Sequence, residues 1–226
     1  MNPTYLDNLA EISANIKNAS LRSGDNIKLV LVSKSQKKDS IKKIYDLGYR
    51  SFGENYLQEA KEKIESLDGY DIEWHFIGRL QSNKIKEIVK LFDWIHTVSS
   101  KKHMDMIDKF SMECNKIMNV CIQINIDDEE SKSGLDLNKV DDLISISENY
   151  RNIQIRGIMA IPSKTNALEK KEHSYELLSE KFTELRAKLV NFDTLSLGMS
   201  SDYKLALAHN ANLIRIGTLV FGARKK

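Results

Sequence analysis

An alternation of short β-rich runs with amphipathic stretches, repeated eight times along 226 residues, narrows the fold more than any other feature. Strand patterns fall at 27–33, 50–53, 73–77, 94–98, 119–126, 153–161, 194–197 and 213–216. Helical spacing follows each but the last, near 39–47, 56–67, 83–92, 101–114, 137–149, 168–190 and 202–209. A further helix opens the chain over Met1–Arg22, where Tyr5, Leu9, Ile12 and Ile16 share a face and Ser23-Gly24-Asp25 forms the stop. Strand–helix alternation implies right-handed crossovers and a parallel sheet. Eight such units point to an α/β fold, a single (β/α)8 TIM barrel with an extra N-terminal helix. The competing architecture is a doubly wound open sheet. Its dinucleotide-binding form wants G-x-G-x-x-G after the first strand, and "VSKSQKKD" holds no glycine. No linker rich in Pro, Gly or Ser divides the chain, so residues 1–226 are expected to form one domain.

Charge and composition then exclude several classes. The 34 basic and 32 acidic residues leave a net charge of +2, interleaved as in "EAKEKIESL", so no basic stripe invites nucleic acid. No stretch approaches the roughly 20 consecutive apolar residues of a membrane span, and "MNPTYLDNLAEI" lacks the apolar core of a signal peptide. The two cysteines, Cys114 and Cys121, do not form C-x-x-C. A cytoplasmic protein with reduced thiols is expected. The five histidines show no metal-binding spacing, and "DDEE" at 127–130 lacks the spaced ligands of a calcium loop. Lys132, on that loop, reads as a surface lysine that could also greet an anionic ligand. Trp74 and Trp94 read as core.

In a barrel of this kind chemistry belongs to the C-terminal strand ends. The first strand, "KLVLVS", delivers Lys34 to its tip. By alternation Lys34 shares a face with Val30 and Val32, opposite Leu29 and Leu31. The leucines suit the layer under the helices and the valines the interior, which turns Lys34 toward the mouth; the plain alternative is a lysine leaving for solvent. Ser200 and Ser201 lie before the seventh helix, and Gly217-Thr218 follow the eighth strand. The loops after strands seven and eight form the phosphate site of many such barrels; helix capping by Ser200, Ser201 or Asp202 is the plain alternative. Arg215, between Ile214 and Ile216, should face inward and needs an acceptor, either an internal carboxylate such as Glu54 or a ligand atom.

An inward lysine, a phosphate cradle and an inward arginine together suggest pyridoxal 5′-phosphate, with Lys34 as the Schiff-base amine and Arg215 donating to the pyridine nitrogen. Burial and nearby positive charge would lower the lysine pKa from about 10.4.

The segments "VSKS", "FGENYLQEA", "WHFIGRLQSNK", "QINIDDEESKSG", "GIMAIP", "LSLGMSSD" and "RIGTLVFGAR" resemble the pyridoxal phosphate homeostasis protein family, whose fold is similar to the N-terminal barrel of alanine racemase. The resemblance runs from about Leu29 to Arg224. It implies cofactor on Lys34, phosphate contacts at Ser200, Gly217 and Thr218, Arg215 at the ring nitrogen, and Asn55 of "GENY" lining the pocket. It also implies a protein that carries or buffers the cofactor, with effects on amino-acid and keto-acid balance; apo-enzymes requiring the cofactor are the partners such a carrier would serve. Gln36 departs from members with a second lysine there. The alternative is a racemase of alanine racemase type. Racemisation is usually run by an acid/base on each face of the carbon, and the racemases draw the second from an added domain. The chain's end at "FGARKK" therefore favours a carrier, and a monomer.

Overall fold

The computed structural model describes residues 4–127, 133–163 and 172–222. Eight parallel strands close into a barrel in sequence order: β1 (Lys28–Val32), β2 (Ser51–Glu54), β3 (Glu73–Phe76), β4 (Trp94–Val98), β5 (Met118–Ile124), β6 (Ile153–Ala160), β7 (Thr194–Ser196) and β8 (Leu213–Ile216), with β8 pairing back to β1. The helices are α1 (Tyr5–Ser23), α2 (Lys38–Asp46), α3 (Leu57–Ser66), α4 (Ile85–Leu91), α5 (Lys101–Glu113), α6 (Val140–Ser145), α7 (His173–Lys188), α8 (Tyr203–Ala208) and α9 (Thr218–Phe221). None of them is long and apolar enough to cross a membrane.

Strand alternation divides the core into two layers. Leu31, Phe52, Trp74, Phe76, Ile95, Ile214 and Ile216 belong to the large cluster packed under the helices, with Leu29 against its edge. Val30 and Val32 are buried outside that cluster. The Val30 Cγ1 lies 3.0 Å from where a Gly53 Cβ would stand, which places both on the barrel interior. Trp94, Cys121 and Met159 form a small interior cluster, so Trp94, like Trp74, is core. Their neighbours inside are polar: His75, His96, Ser196 and Arg215 are all buried. Gly157 lets β6 and β7 close, because a Cβ there would stand 1.6 Å from the Thr194 carbonyl oxygen.

Two expected helices are shorter than the pattern implied. The 137–149 segment forms α6 between two 3-10 turns. Its buried residues, Val140, Leu143 and Ile144, fill little more than one turn. Beyond them Ser145 and Asn149 bond nearby carbonyls, competing with the helix ladder. Likewise Ser82–Lys84 is a 3-10 turn leading into α4. The expected start of α7, residues 168–171, lies outside the described residues, as does Lys132. α1 ends at Gly24, left-handed at φ 75°, whose N–H bonds the Ser20 carbonyl. Asn8 of α1 donates to the Leu219 carbonyl at 2.7 Å and so ties the N-terminal helix to α9.

Candidate functional site

The ladder continues one residue beyond β1, where the Ser33 N–H donates to the Gly53 carbonyl. Lys34 follows in a turn, half-buried. The next residue, Ser35, is left-handed at φ 61°, a conformation that costs a non-glycine residue free energy and persists only if held. The holding groups lie on α3 and the end of β2. Glu59 accepts from the Ser35 N–H at 2.5 Å. Lys63 donates to the Ser33 carbonyl at 2.7 Å, to Glu54 at 2.7 Å and to Glu59 at 2.5 Å. Ser33 Oγ donates to the same Glu54 oxygen at 2.6 Å. Burial pushes the Glu54 carboxyl above its ordinary value, while Lys63 and Ser33 pull it part of the way back. Glu54 thus belongs to a buried clamp behind Lys34 and is not the partner of Arg215. The reason is parity: Gly53 faces inward on β2, so Glu54 faces out.

Arg215 lies beside Val30 in the β1–β8 register and is 3% exposed. One terminal nitrogen donates to the Ser196 carbonyl (2.7 Å) and Oγ (2.5 Å), the other to the Ala160 carbonyl (2.9 Å). No carboxylate is among these acceptors. Burial lowers the guanidinium pKa to about 10, leaving it charged at neutral pH. Its Nε makes no hydrogen bond among the described residues and remains a donor.

After β7, Ser200 Oγ accepts from the N–H groups of Gly217 (3.3 Å) and Leu219 (3.4 Å), so the loops that follow β7 and β8 meet. The serines do not cap α8, which starts at Tyr203 without a side-chain cap. Asp202 instead ties the loop down: it accepts from the Met199 N–H and from the Tyr175 hydroxyl, each at 2.7 Å. Gly217 packs against β1, where a Cβ would stand 3.3 Å from the Val32 carbonyl oxygen. Thr218 is exposed beside it.

Asn55 follows β2, with its Oδ1 buried and without a hydrogen-bond partner. It lines a cavity of about 260 Å³ at the barrel mouth with Arg79, Thr97, Gln123 and Asn125. Neither Lys34 nor Ser200 lines that cavity; Ser200 borders a groove of about 610 Å³ between α1 and α8. The expected residues therefore occupy one end of the barrel, at neighbouring strands β7, β8, β1 and β2. Sequence reasoning missed the clamp of Glu54, Glu59 and Lys63, and the Ser196 partner of Arg215. Strand parity, applied to β2 and β7 as it was to β1, is the signal that would have found Glu54 and Ser196.

Residues 8–225 match the family described as alanine racemase, N-terminal domain. The pyridoxal phosphate homeostasis protein of Pasteurella multocida is 40% identical over 228 residues, spanning 98% of each chain. This chain belongs to that family. Among solved structures, it is similar to PipY of Synechococcus elongatus PCC7942 without pyridoxal phosphate, at 31% identity and a TM-score of 0.87, covering 96% of this chain and 100% of PipY. It is also similar to PipY with the cofactor bound, at 33% identity and a TM-score of 0.80, covering 92% and 99%. The closed parallel barrel described above matches the alanine racemase N-terminal fold.

Proposed function

We propose that this protein binds pyridoxal 5′-phosphate at the β7–β8–β1–β2 end of the barrel and carries or buffers it without turning over a substrate of its own. The observation that supports this best is the convergence of three chemistries: an amine at Lys34, a carboxylate-free cation at Arg215, and amides gathered on Ser200. The residues fit the group. Gly217 and Leu219 amides already share one oxygen, the Ser200 hydroxyl, in the manner a phosphate oxygen would be shared. Thr218 adds an exposed hydroxyl next to them. Arg215 keeps its Nε hydrogen for a ring nitrogen, and the unpaired Asn55 Oδ1 awaits a donor. Lys34 supplies the amine that holds the aldehyde, and the Lys63 clamp fixes the loop that presents it. The cofactor, when bound, supplies an aldehyde reactive toward amines and a ring able to delocalise charge.

Arg215 also bears on the choice between carrier and racemase. A guanidinium donates a hydrogen bond but does not yield its proton, so the ring beside it is a weak electron sink. The names of the full-length relatives point the same way. The whole chain then works as one cofactor-binding unit, monomeric and cytoplasmic, with apo-enzymes as recipients. The test is transfer. Protein loaded with cofactor is mixed with an apo-enzyme, and the activation rate is compared with free cofactor at equal concentration. Activation at a rate set by release or hand-over supports the carrier; absence of any loading ends the proposal.

A further inference from the structure

A polar chain runs through the barrel from Arg215 to the opposite face. Arg215 donates to Ser196 Oγ at 2.5 Å. Ser196 Oγ lies 3.0 Å from His96 Nδ1, His96 Nε2 lies 2.9 Å from His75 Nδ1, and His75 Nε2 lies 3.0 Å from Glu73 Oε2. His75, His96 and Ser196 are all 0% exposed. Glu73 ends the chain at the N-terminal face, where it also accepts from Lys28, Ser51 and the Trp94 indole. A cavity of about 310 Å³, lined by Lys28, Trp94 and Arg156, opens at that face.

With both rings neutral, the carboxylate end fixes every proton in the chain. Lysine and indole only donate, so Glu73 is an acceptor; burial opposes its charge, but bonds from His75 and Lys28 outweigh it and hold the carboxyl well below its ordinary value. His75 must then donate from Nε2, and as a neutral ring it accepts at Nδ1. His96 must donate from Nε2 and accept at Nδ1. The Ser196 hydroxyl must donate to His96, leaving its lone pairs for Arg215, which can only donate. Burial favours the neutral form of both rings by lowering their pKa values, against the pull of Glu73 at His75 and with His75, Arg215 and Lys28 adding to the effect at His96.

We propose that Glu73, His75, His96 and Ser196 are positioning residues: a one-directional hydrogen-bond chain that turns the Ser196 lone pairs toward Arg215 and sets that side chain's orientation at the mouth. This rests on the cofactor reading for its purpose, though not for its geometry. It couples the two barrel faces with no backbone movement, because reversing any one bond between neutral rings leaves two donors or two acceptors facing each other. The charged and titratable groups around the rings are Lys28 from β1, Glu73 from β3, Asp93 before β4, Cys121 from β5 and Arg215 from β8.

The first arm of the test uses the ligand-free protein. Long-range 1H–15N spectra should show both His75 and His96 as neutral Nε2–H tautomers from pH 5 to pH 8. An Nδ1–H tautomer or a charged ring in that range overturns the chain. The second arm compares His96→Gln with His96→Leu. Glutamine can accept from Ser196 and donate to His75, whereas leucine can do neither. Affinity for pyridoxal 5′-phosphate should fall about tenfold or more in His96→Leu and stay within about threefold in His96→Gln. Equal losses in the two variants, both folded by their melting profiles, would reduce His96 to packing and refute the proposal, as would unchanged affinity in both. Wild-type protein that fails to bind would sink the cofactor reading, while the tautomers would still judge the chain.

Discussion

Lys63→Met isolates the clamp behind Lys34. Lys63 is 7% exposed in its side chain and its partner Glu54 is 0% exposed, so the substitution strands a carboxylate in the core and releases the Ser33 carbonyl. Breaking a buried pair from one side costs about 3–5 kcal/mol. The cost depends on pH, with a definite sign. Burial already raises the Glu54 pKa in the folded protein above the ordinary 4.5, and Lys63 is the main group opposing that rise. Without Lys63 the native state holds a proton on Glu54 that the unfolded chain releases. Stability of the variant should then fall by about 1.4 kcal/mol per pH unit above the unfolded pKa, until the folded pKa is passed. Below pH 4.5 the Glu54 penalty should be gone. Urea unfolding of both proteins at intervals from pH 4.5 to pH 8 reads this directly. Adding Glu54→Gln to Lys63→Met should flatten the pH dependence and recover much of the loss. A loss under about 1 kcal/mol at pH 7, or one independent of pH, would refute the reasoning, since an unpaired buried charge can give neither.

Other outcomes follow from single sites. Cys121 is fully buried and its thiol is pushed up to about 12, whereas Cys114 is exposed; a chromogenic disulfide reagent should titrate one thiol in the native protein and two after unfolding. Gly198→Ala should cost about 1–3 kcal/mol and distort the Ser200 loop, because its Cβ would stand 2.6 Å from the Ala206 Cβ at φ +95°. Gly24→Ala, at φ +75° with open space around it, should cost about 1–2 kcal/mol from backbone strain alone; thermal unfolding of the two variants compares them. Alanine racemase turnover by the purified protein should be undetectable beside a true racemase, and turnover lost in Lys34→Ala would replace the carrier reading with an enzymatic one.

The barrel was legible because its signal is local. Each strand carries its own apolar run, and β1 its own alternation, which places Val30 inside and Leu31 under the helices. Arg215 between two isoleucines is legible for the same reason. The clamp and the histidine chain were not, because they need the register between strands. His75 and His96 stand 21 residues apart, and nothing in either strand says that their rings meet at 2.9 Å. Even so, local parity held more than was taken from it: Glu73 and His75 share one face of β3 opposite Trp74 and Phe76, a polar pair aimed into a barrel. Glu54 stood as one alternative partner of Arg215, although a neighbouring Asn55 that lines the pocket turns Glu54 the other way. Two successive strand residues cannot face the same way. The clamp was hidden for a further reason: Lys63 looked like one more charge on the solvated face of "EAKEKIESL", and only its packing under the Ser33 loop buries it.

The measurement that bears most directly on the account is the site of attachment. The protein is loaded with pyridoxal 5′-phosphate, reduced with borohydride, digested, and its modified peptide sequenced. One stable adduct is expected, on Lys34, with the cofactor's absorbance band lost in Lys34→Ala. An adduct on another lysine with Lys34 unmodified, or an undiminished band in Lys34→Ala, would contradict it.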